Sequence, residues 1–412
     1  MPPSRTGIWL IGARGGVAVT TLVGLAALRR GLIGTEGLTT SLSPFADLSM
    51  PTFASMVASG HEIRRLSLFA EAQRLAREFR VPHPEVVEAC RDELEEIDRR
   101  IRPGTALGVG ARIAALAAPD VPADPSPRAA IDRVQADLAA FVAAEGLEHL
   151  IVVNVASTEP TDTPEGVPAT WPELKPRLEQ AGAGFLPAST LYAIAALEAG
   201  HSYINFTPSL GSAPEAVDDL ARRQATRHMG CDGKTGETLL KSVLAPMFAR
   251  RHLPVMSWVG HNIFGNLDGK VLDDPANKQA KVRSKDHLLG TILGYRPQTH
   301  VSIEYIESLG DWKTAWDHVH FRGFLGVPMT LQFTWQGCDS VLAAPLVLDL
   351  VRLTEAARRR GCIGRMPFLA SFFKSPYGVS EQAFDRQFEM LLRWVAGATQ
   401  QDGSSVSRCR PC

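Results

Sequence analysis

Gly7-Ile8-Trp9-Leu10-Ile11-Gly12-Ala13-Arg14-Gly15-Gly16 is the stretch that decides the fold. A short apolar run ends in a glycine cluster. Val17 to Arg30 then follows as a helix rich in leucine and small residues, closed by Gly31. Strand, glycine turn and helix in this order open a doubly wound α/β fold. The turn reads Gly12-x-x-Gly15-Gly16 and is not a G-x-G-x-x-G match. Its context still suits a pyrophosphate, because backbone N–H groups at a helix start stand clear of side chains. Gly12, Arg14, Gly15, Gly16 and Val17, with Thr20 and Thr21 in the first turns of the helix, are the candidate cofactor residues. The competing reading is a tight strand–helix turn that holds no ligand.

Working outward, residues 62–101 carry helical periodicity with many charges, and residues 102–128, rich in Pro, Ala and Gly, read as a loop. Ile131 to Ala144 reads as an amphipathic helix leading into the strand His149-Leu150-Ile151-Val152-Val153-Asn154. That strand ends in a polar segment containing Ser157 and Thr158, at the carboxyl end where open α/β sheets bind ligands. Ser189 and Thr190 start the next helix, and Ser202 to Phe206 is the next strand. From Val255 to Trp335 the chain alternates in strand-like fashion, which suits a mixed sheet packed on another sheet or subunit. A strongly amphipathic helix follows Cys338. The expected fold is α/β: a Rossmann-like doubly wound parallel sheet with an inserted α+β, mixed-sheet catalytic and oligomerisation domain. The expected division is 1–240 for the first part of the nucleotide-binding domain, 241–340 for the insertion, and 341–412 for the return and C-terminal tail.

The chain has 412 residues, enough for two domains or one domain with an insertion. Hydrophobic residues make up 45% and charged residues 21%, a globular balance. With a formal net charge of −1, nothing global favours nucleic acid or an anionic membrane, so an anionic substrate needs local cations. The N-terminus does not read as a signal peptide, and no uncharged run of about 18 apolar residues predicts a membrane span. Cys90, Cys231, Cys338 and Cys362 are isolated, and the lone Cys409/Cys412 pair in the tail has no second half for a zinc site. These features predict a cytoplasmic protein.

Several polar constellations lie downstream. Gly230 to Thr238 places Asp232 and Lys234 among three glycines before a helix that carries Lys241. A phosphate or polyol would find partners there; a capped helix after a solvated turn is the plainer reading. His261-Asn262-x-x-Gly265-Asn266-x-Asp268-Gly269 is a second such loop, although Asn, Asp and Gly clusters are ordinary turn chemistry. Lys278, Lys281, Arg283 and Lys285 form a local basic run of the kind a phosphate site needs. Lys374, flanked by Phe372 and Phe373, is a candidate general base if desolvation lowers its pKa, and a snorkelling lysine otherwise. His318-x-His320 lacks a third metal ligand, and there is neither a G-x-S-x-G elbow nor a Walker lysine.

Taken in series, GARGGVAVTTLVGLAAL, VVNVASTEP, FLPASTLYAIAALEAGHSYINFTPS, GCDGKTGETLLKSVL, HNIFGNLDGKVL, KVRSK, SLGDWKTAWD, CDSVLAAPLVLDL and FFKSP resemble the myo-inositol-1-phosphate synthases. The resemblance spans nearly the whole chain, and its specificity lies in the order of the segments. It implies NAD at the glycine turn and an internal oxidation, aldol cyclisation and reduction of D-glucose 6-phosphate to 1D-myo-inositol 3-phosphate, a precursor for inositol and phospholipid biosynthesis. It also implies a homotetramer. Lys234 and Lys241 match lysines of the family's K-S-G-Q-T-K-x-K element, and Asp232 its preceding aspartate. Asn262, Gly265, Asn266 and Asp268 match N-x-x-G-N-x-D-G, and Ser284 and Lys285 match R-S-K. Asp311 and Lys313 match G-D-S-K, Asp339 the acid before the A-A-P helix, and Lys374 the late lysine.

By this resemblance the catalytic set is Asp232, Lys234, Lys241, Lys285, Asp339 and Lys374. Ser157, Thr158, Ser189, Asp232 and Asp339 join the glycine turn on the cofactor. Asn262, Gly265, Asn266, Asp268, Ser284, Lys285 and Lys374 bind substrate, and no metal ligand is assigned. Leu239, Leu289 and Glu304 stand where the family has lysines. A same-scaffold cyclase acting on a different sugar phosphate, a non-catalytic NAD-binding homologue and a net dehydrogenase remain open.

Overall fold

The computed structural model describes residues 5–159, 163–180, 182, 185–265 and 288–401. Seven strands build the first sheet: β1 (Thr6–Ile11), β2 (Met56–Glu62), β3 (Arg102–Pro103), β4 (His149–Asn154), β5 (Ser202–Asn205), β6 (Arg227–Gly230) and β11 (Gly364–Arg365). Their order is β3-β2-β1-β4-β5-β6-β11, and every neighbouring pair is parallel. The alternation of side chains along each strand supplies two cores, as a sheet covered on both faces requires. Ile8 and Leu10 join Ile151, Val153 and Ile204 on one face. Trp9 and Ile11 join Leu150, Val152 and Tyr203 on the other. Helices α1 (Gly16–Arg29), α2 (Leu68–Phe79), α4 (Arg91–Arg100), α11 (Asp339–Arg359) and α12 (Phe384–Gln401) cover the first face. Helices α6 (Pro127–Glu145), α7 (Trp171–Gln180), α8 (Ala188–Glu198) and α9 (Glu215–Arg223) cover the second. Two short helices, α3 (Pro84–Ala89) and α5 (Ala111–Ala114), complete this half.

The chain winds outward from β1 through β2 to β3, then returns to β4 on the other side of β1. That reversal leaves a crevice between the carboxyl ends of β1 and β4, the position at which such sheets bind nucleotides. Residues 56–62 form a fully buried strand, and the helical stretch expected from 62 starts only at Leu68.

The second sheet has the order β10-β9-β7-β8, from β7 (Val255–Phe264), β8 (Gln298–Tyr305), β9 (Trp312–Arg322) and β10 (Pro328–Cys338). It is mixed: β7 runs parallel to β8 and antiparallel to β9, and β9 and β10 form a hairpin. Helix α10 (Gly236–Arg250) leads into it and packs Ala245 and Phe248 against Trp258 and Val319 on its inner face. The opposite face is open, with Trp312 and Trp316 exposed. α11 carries the chain back from β10 to the first sheet. There Asp349 accepts hydrogen bonds from the Thr39 N–H (2.6 Å), the Thr40 N–H (3.1 Å) and the Thr40 hydroxyl (2.6 Å).

Candidate active site

The crevice begins at Gly12, whose φ of +78° is left-handed and whose Cβ, if it had one, would lie 2.8 Å from the Ala156 Cα. Only glycine lets β1 turn so close to the end of β4. Gly15 caps α1 without any side-chain hydrogen bond, which leaves the first N–H groups of α1 without a side-chain cap. Two buried hydroxyls, those of Thr20 and Thr158, have no partner within the protein. Unpartnered buried polar atoms beside an uncapped helix start are what a dinucleotide would satisfy. At the end of β2, Glu62 accepts from the backbone N–H groups of Arg14 (3.0 Å) and Ile63 (3.0 Å) and from the Arg64 guanidinium. Burial pushes the Glu62 carboxyl up, but the hydrogen bonds and charge of Arg64 outweigh it and hold the group below the usual range.

Not every candidate faces the crevice. The Arg14 guanidinium pairs with Asp98 at 2.8 Å, so its charge is already neutralised by α4. The Ser189 hydroxyl accepts from the Gly211 N–H at 3.2 Å, and its carbonyl accepts from the Tyr203 hydroxyl at 2.9 Å. Ser189 and Thr190 therefore fasten α8 to the loop after β5. The Ser189 N–H donates to Glu159 at 2.8 Å, and burial pushes that carboxyl up to about 7.

Across the crevice, two chain segments form a small ladder. The Cys231 and Ser375 backbones exchange hydrogen bonds at 3.0 and 3.2 Å, the Lys374 N–H donates to the Asp232 carbonyl at 2.7 Å, and the Lys234 N–H donates to the Phe372 carbonyl at 2.8 Å. Asp232 sits at φ +63°, and a Cβ on Gly233 would fall 2.2 Å from the Phe206 ring. This geometry brings Asp232, Lys234 and Lys374 together. Lys374 Nζ donates to Asp232 Oδ1 at 2.7 Å. Desolvation alone would lower the Lys374 pKa, but the Asp232 charge and hydrogen bond raise it above the ordinary lysine value. The pairing with Asp232 thus outweighs the desolvation expected from Phe372 and Phe373. The depressed lysine is Lys234: burial, then the neighbouring Lys374 charge, push it down to about 7. Its Nζ donates to the amide oxygen of Gln387.

The inner face of the second sheet closes the site. Lys241 on α10 is buried between Glu237 (2.6 Å) and Asp317 (3.5 Å), with the Trp258 ring 5.9 Å away. A Cβ on Gly260 would crowd all three charged groups. Next along β7, Asn262 is 1% exposed and neither of its side-chain polar atoms has a partner. At the strand's end Lys313 lies 5.5 Å from the Phe264 ring and 4.0 Å from Asp339. Asp311 accepts from the Ser340 N–H at 3.2 Å and so anchors the start of α11. A Cβ placed on Gly16 would be 4.0 Å from Asp311, so the insertion reaches back to the glycine turn. Gly265 packs under the loop before β9, donating its N–H to the Gly310 carbonyl at 3.0 Å.

Asn266, Asp268, Ser284 and Lys285, with Lys278 and Lys281, lie outside the described residues. Of the three lysine positions of the family that differ here, Leu289 is buried in the apolar cluster with Phe248 and Trp258, and Leu239 is half-buried on α10. Glu304 pairs with Ile263 on the open face, opposite the side that buries Asn262, so it takes no cation away from this site. Sequence reasoning missed Glu62, Glu159 and Gln387. For Glu62 an acid closing the second strand was the available signal; the other two carry none.

A parallel sheet with a glycine turn at its switch point, beside buried lysines at the start of α10 and an inserted mixed sheet, defines an NAD-dependent enzyme of the doubly wound class. The myo-inositol-1-phosphate synthase family model matches residues 6–395 and describes an NAD-binding family. The chain belongs to the myo-inositol-1-phosphate synthase family, and its cofactor is NAD. It is 29% identical over 398 residues to an inositol-3-phosphate synthase of Bacteroides thetaiotaomicron, covering 90% of this chain and 89% of that one. It is 31% identical over 239 residues to the inositol-3-phosphate synthase of Dictyostelium discoideum, covering 56% of this chain but only 46% of that longer protein. The crystal structure of inositol-3-phosphate synthase from Caenorhabditis elegans shares the fold with a TM-score of 0.85 at 24% identity, covering 99% of this chain and 90% of that one.

Proposed function

We propose that the protein converts D-glucose 6-phosphate into 1D-myo-inositol 3-phosphate by internal oxidation, aldol cyclisation and reduction. The observation that carries this reading is the ladder that brings Lys374, paired with Asp232, beside the buried Lys234. NAD, when bound, supplies the hydride acceptor and donor. Gly12, Gly15 and Gly16 would leave room for its pyrophosphate, the Thr20 and Thr158 hydroxyls would offer the hydrogen bonds they lack within the protein, and Glu62, which closes β2, would take the ribose. Lys234, poised near neutrality, takes a proton from the substrate and returns it. Lys374 stays charged against Asp232 and stabilises oxygen that gains negative charge, or the phosphate. The Asn262 amide offers both a donor and an acceptor to sugar hydroxyls. Lys285, Ser284, Asn266 and Asp268 complete the substrate site in this reading, and Asp339 and Lys241 support it.

A second reading, a same-scaffold cyclase for another sugar phosphate, is favoured by Leu289, which offers no charge at a family lysine position. Incubating the protein with NAD and glucose 6-phosphate and identifying the product by NMR separates them. Inositol phosphate without net NADH supports the first reading. NAD binding without turnover moves the substrate to another sugar phosphate, and stoichiometric NADH means a net dehydrogenase.

The division 1–240, 241–340 and 341–412 goes with this reading, the insertion serving both catalysis and assembly. The open face of the second sheet exposes Trp312 and Trp316, and the β9–β10 hairpin exposes Phe324 and Leu325, which supports a homotetramer. No helix among the described residues is long and apolar enough to cross a membrane. Cys90, Cys231, Cys338 and Cys362 are free thiols, which supports a cytoplasmic location. Sedimentation analysis would give the tetramer's mass; a monomer would sink that part.

A further inference from the structure

The second strand ends against the glycine turn. The Gly12 and Ala13 N–H groups both donate to the His61 carbonyl, at 2.9 and 3.0 Å, so the next residue, Glu62, stands at the rim of the crevice. A dinucleotide whose pyrophosphate lies on such a turn sets its adenosine ribose at the end of the second strand. The Glu62 carboxylate is crowded there. Its Oε1 accepts from the Ile63 N–H (3.0 Å), the Arg64 N–H (3.1 Å) and the Arg64 Nε (3.1 Å). Its Oε2 accepts from the Arg14 N–H and from an outer nitrogen of Arg64, each at 3.0 Å. A carboxylate offers about four acceptor positions, and five N–H groups already compete for them. Three of the five are backbone groups fixed by the turn and the strand end. The other two are the fork of one guanidinium, which lies outward of the acid: the Arg64 side chain is 19% exposed and that of Glu62 is 3%. The neighbouring arginines are engaged elsewhere, Arg14 with Asp98 at 2.8 Å and Arg65 with Asp120 at 3.0 Å.

We propose that Arg64 is the specificity-determining residue for the cofactor's 2′ position, a guanidinium that yields Glu62 to a ribose hydroxyl and would itself hold a 2′-phosphate. The donor count supplies the first half. A ribose hydroxyl can reach a Glu62 oxygen only where a donor leaves, and the Arg64 fork is the donor that a side-chain rotation removes. The charges supply the second half. A lone carboxylate at this place repels a 2′-phosphate, which is how an acid at the end of the second strand selects NAD. Here the charge of the acid is already matched by an arginine two residues on, whose planar fork fits a phosphate as well as it fits a carboxylate. NAD therefore has to displace the fork, and NADP can use it. The acid keeps NAD the preferred cofactor, because its backbone donors hold it in place whichever way Arg64 turns. Arg64 decides by how much.

This inference rests on the placement of NAD at Gly12, and not on which sugar phosphate is turned over. Isothermal titration calorimetry of the full chain with NAD and with NADP tests it, on wild type and on Arg64→Gln, whose side chain keeps a donor but carries no charge. NADP should bind the wild type, more weakly than NAD. In Arg64→Gln the two affinities should part. NADP weakens about tenfold or more, as the loss of a charge-assisted fork requires, while NAD binds as tightly as before or tighter. Glu62→Gln should move the ratio the other way, toward NADP, and an unmoved ratio there counts against the proposal. Equal weakening of both cofactors in Arg64→Gln would show a merely structural role and overturn it. So would an unchanged NADP affinity in that variant, or no binding of NADP to the wild type. Gly12→Ala in the same titration keeps the two readings apart. If it leaves NAD affinity intact, the cofactor placement fails. If it weakens NAD while Arg64→Gln leaves the NADP-to-NAD ratio alone, the placement stands and the role of Arg64 fails.

Discussion

At Asp232 the environment of two neighbouring lysines sets their chemistry, since nothing in the lysine side chain itself distinguishes them. Lys374 has an aspartate and Lys234 an amide, and only the second is held near neutrality. In its proposed role as base Lys234 must be deprotonated, so kcat/KM should rise with pH through about 7 and flatten above it. Lys234→Arg, which stays charged, should lower kcat by roughly 10²–10⁴-fold while NAD binding, followed by fluorescence, persists. The pair at Lys374 predicts a stability effect. Asp232→Asn leaves a largely buried ammonium without its counter-ion and should cost about 3 kcal/mol in urea unfolding. Adding Lys374→Met should recover part of that loss; strictly additive costs would show that the two groups do not interact. At this scale the sequence revealed Asp232, Lys234 and Lys374, because glycines beside opposite charges make a visible pattern. Gln387 was illegible, since a glutamine on an amphipathic helix looks like any solvated residue.

Among the elements, the long, regular ones were readable and the short or unusual ones were not. β4 runs over His149–Asn154 as read, because its apolar run is bounded by polar residues. β2 was missed because Met56-Val57-Ala58-Ser59-Gly60-His61-Glu62 is neither apolar throughout nor alternating. Its small residues are there for close approach: a Cβ on Gly60 would lie 2.1 Å from the Leu10 carbonyl oxygen and 2.7 Å from the Ala13 Cβ. β6 and β11, of four and two residues, are too short to carry a period. The glycine turn yields the prediction at this level. Gly12→Ala places a methyl against the Ala156 backbone at a positive φ, so NAD affinity should drop at least about tenfold in a fluorescence titration. Unchanged affinity would place the dinucleotide elsewhere.

For the whole molecule, acid stability follows from histidines buried at the opposite end of the first sheet from the crevice. His149 opens β4 and stacks edge-on with His201 at 5.7 Å. Burial, then the charges of His201 and Arg227, push His149 down to about 2, and burial pushes His201 down to about 4. An unfolded chain binds protons at these sites from about pH 6.5, whereas the folded chain resists until its lower values are reached. Stability should therefore fall as pH drops below about 6.5. Each histidine contributes up to about 1.4 kcal/mol per pH unit until it titrates in the folded state. Urea midpoints compared between pH 7 and 5 check this, and His149→Asn combined with His201→Asn should flatten the slope.

Local order in the chain determined which residues form a strand, a glycine turn and a helix. Hydrophobic period and glycine placement are local properties, and they sufficed for the doubly wound class, the glycine turn at Gly12 and the loops that carry the lysines. Only the tertiary structure decided which lysine meets a carboxylate and which an amide. A proton's affinity depends on what surrounds the nitrogen, and at Lys234 those surroundings come from Phe372, Lys374 and Gln387, well over a hundred residues further along the chain.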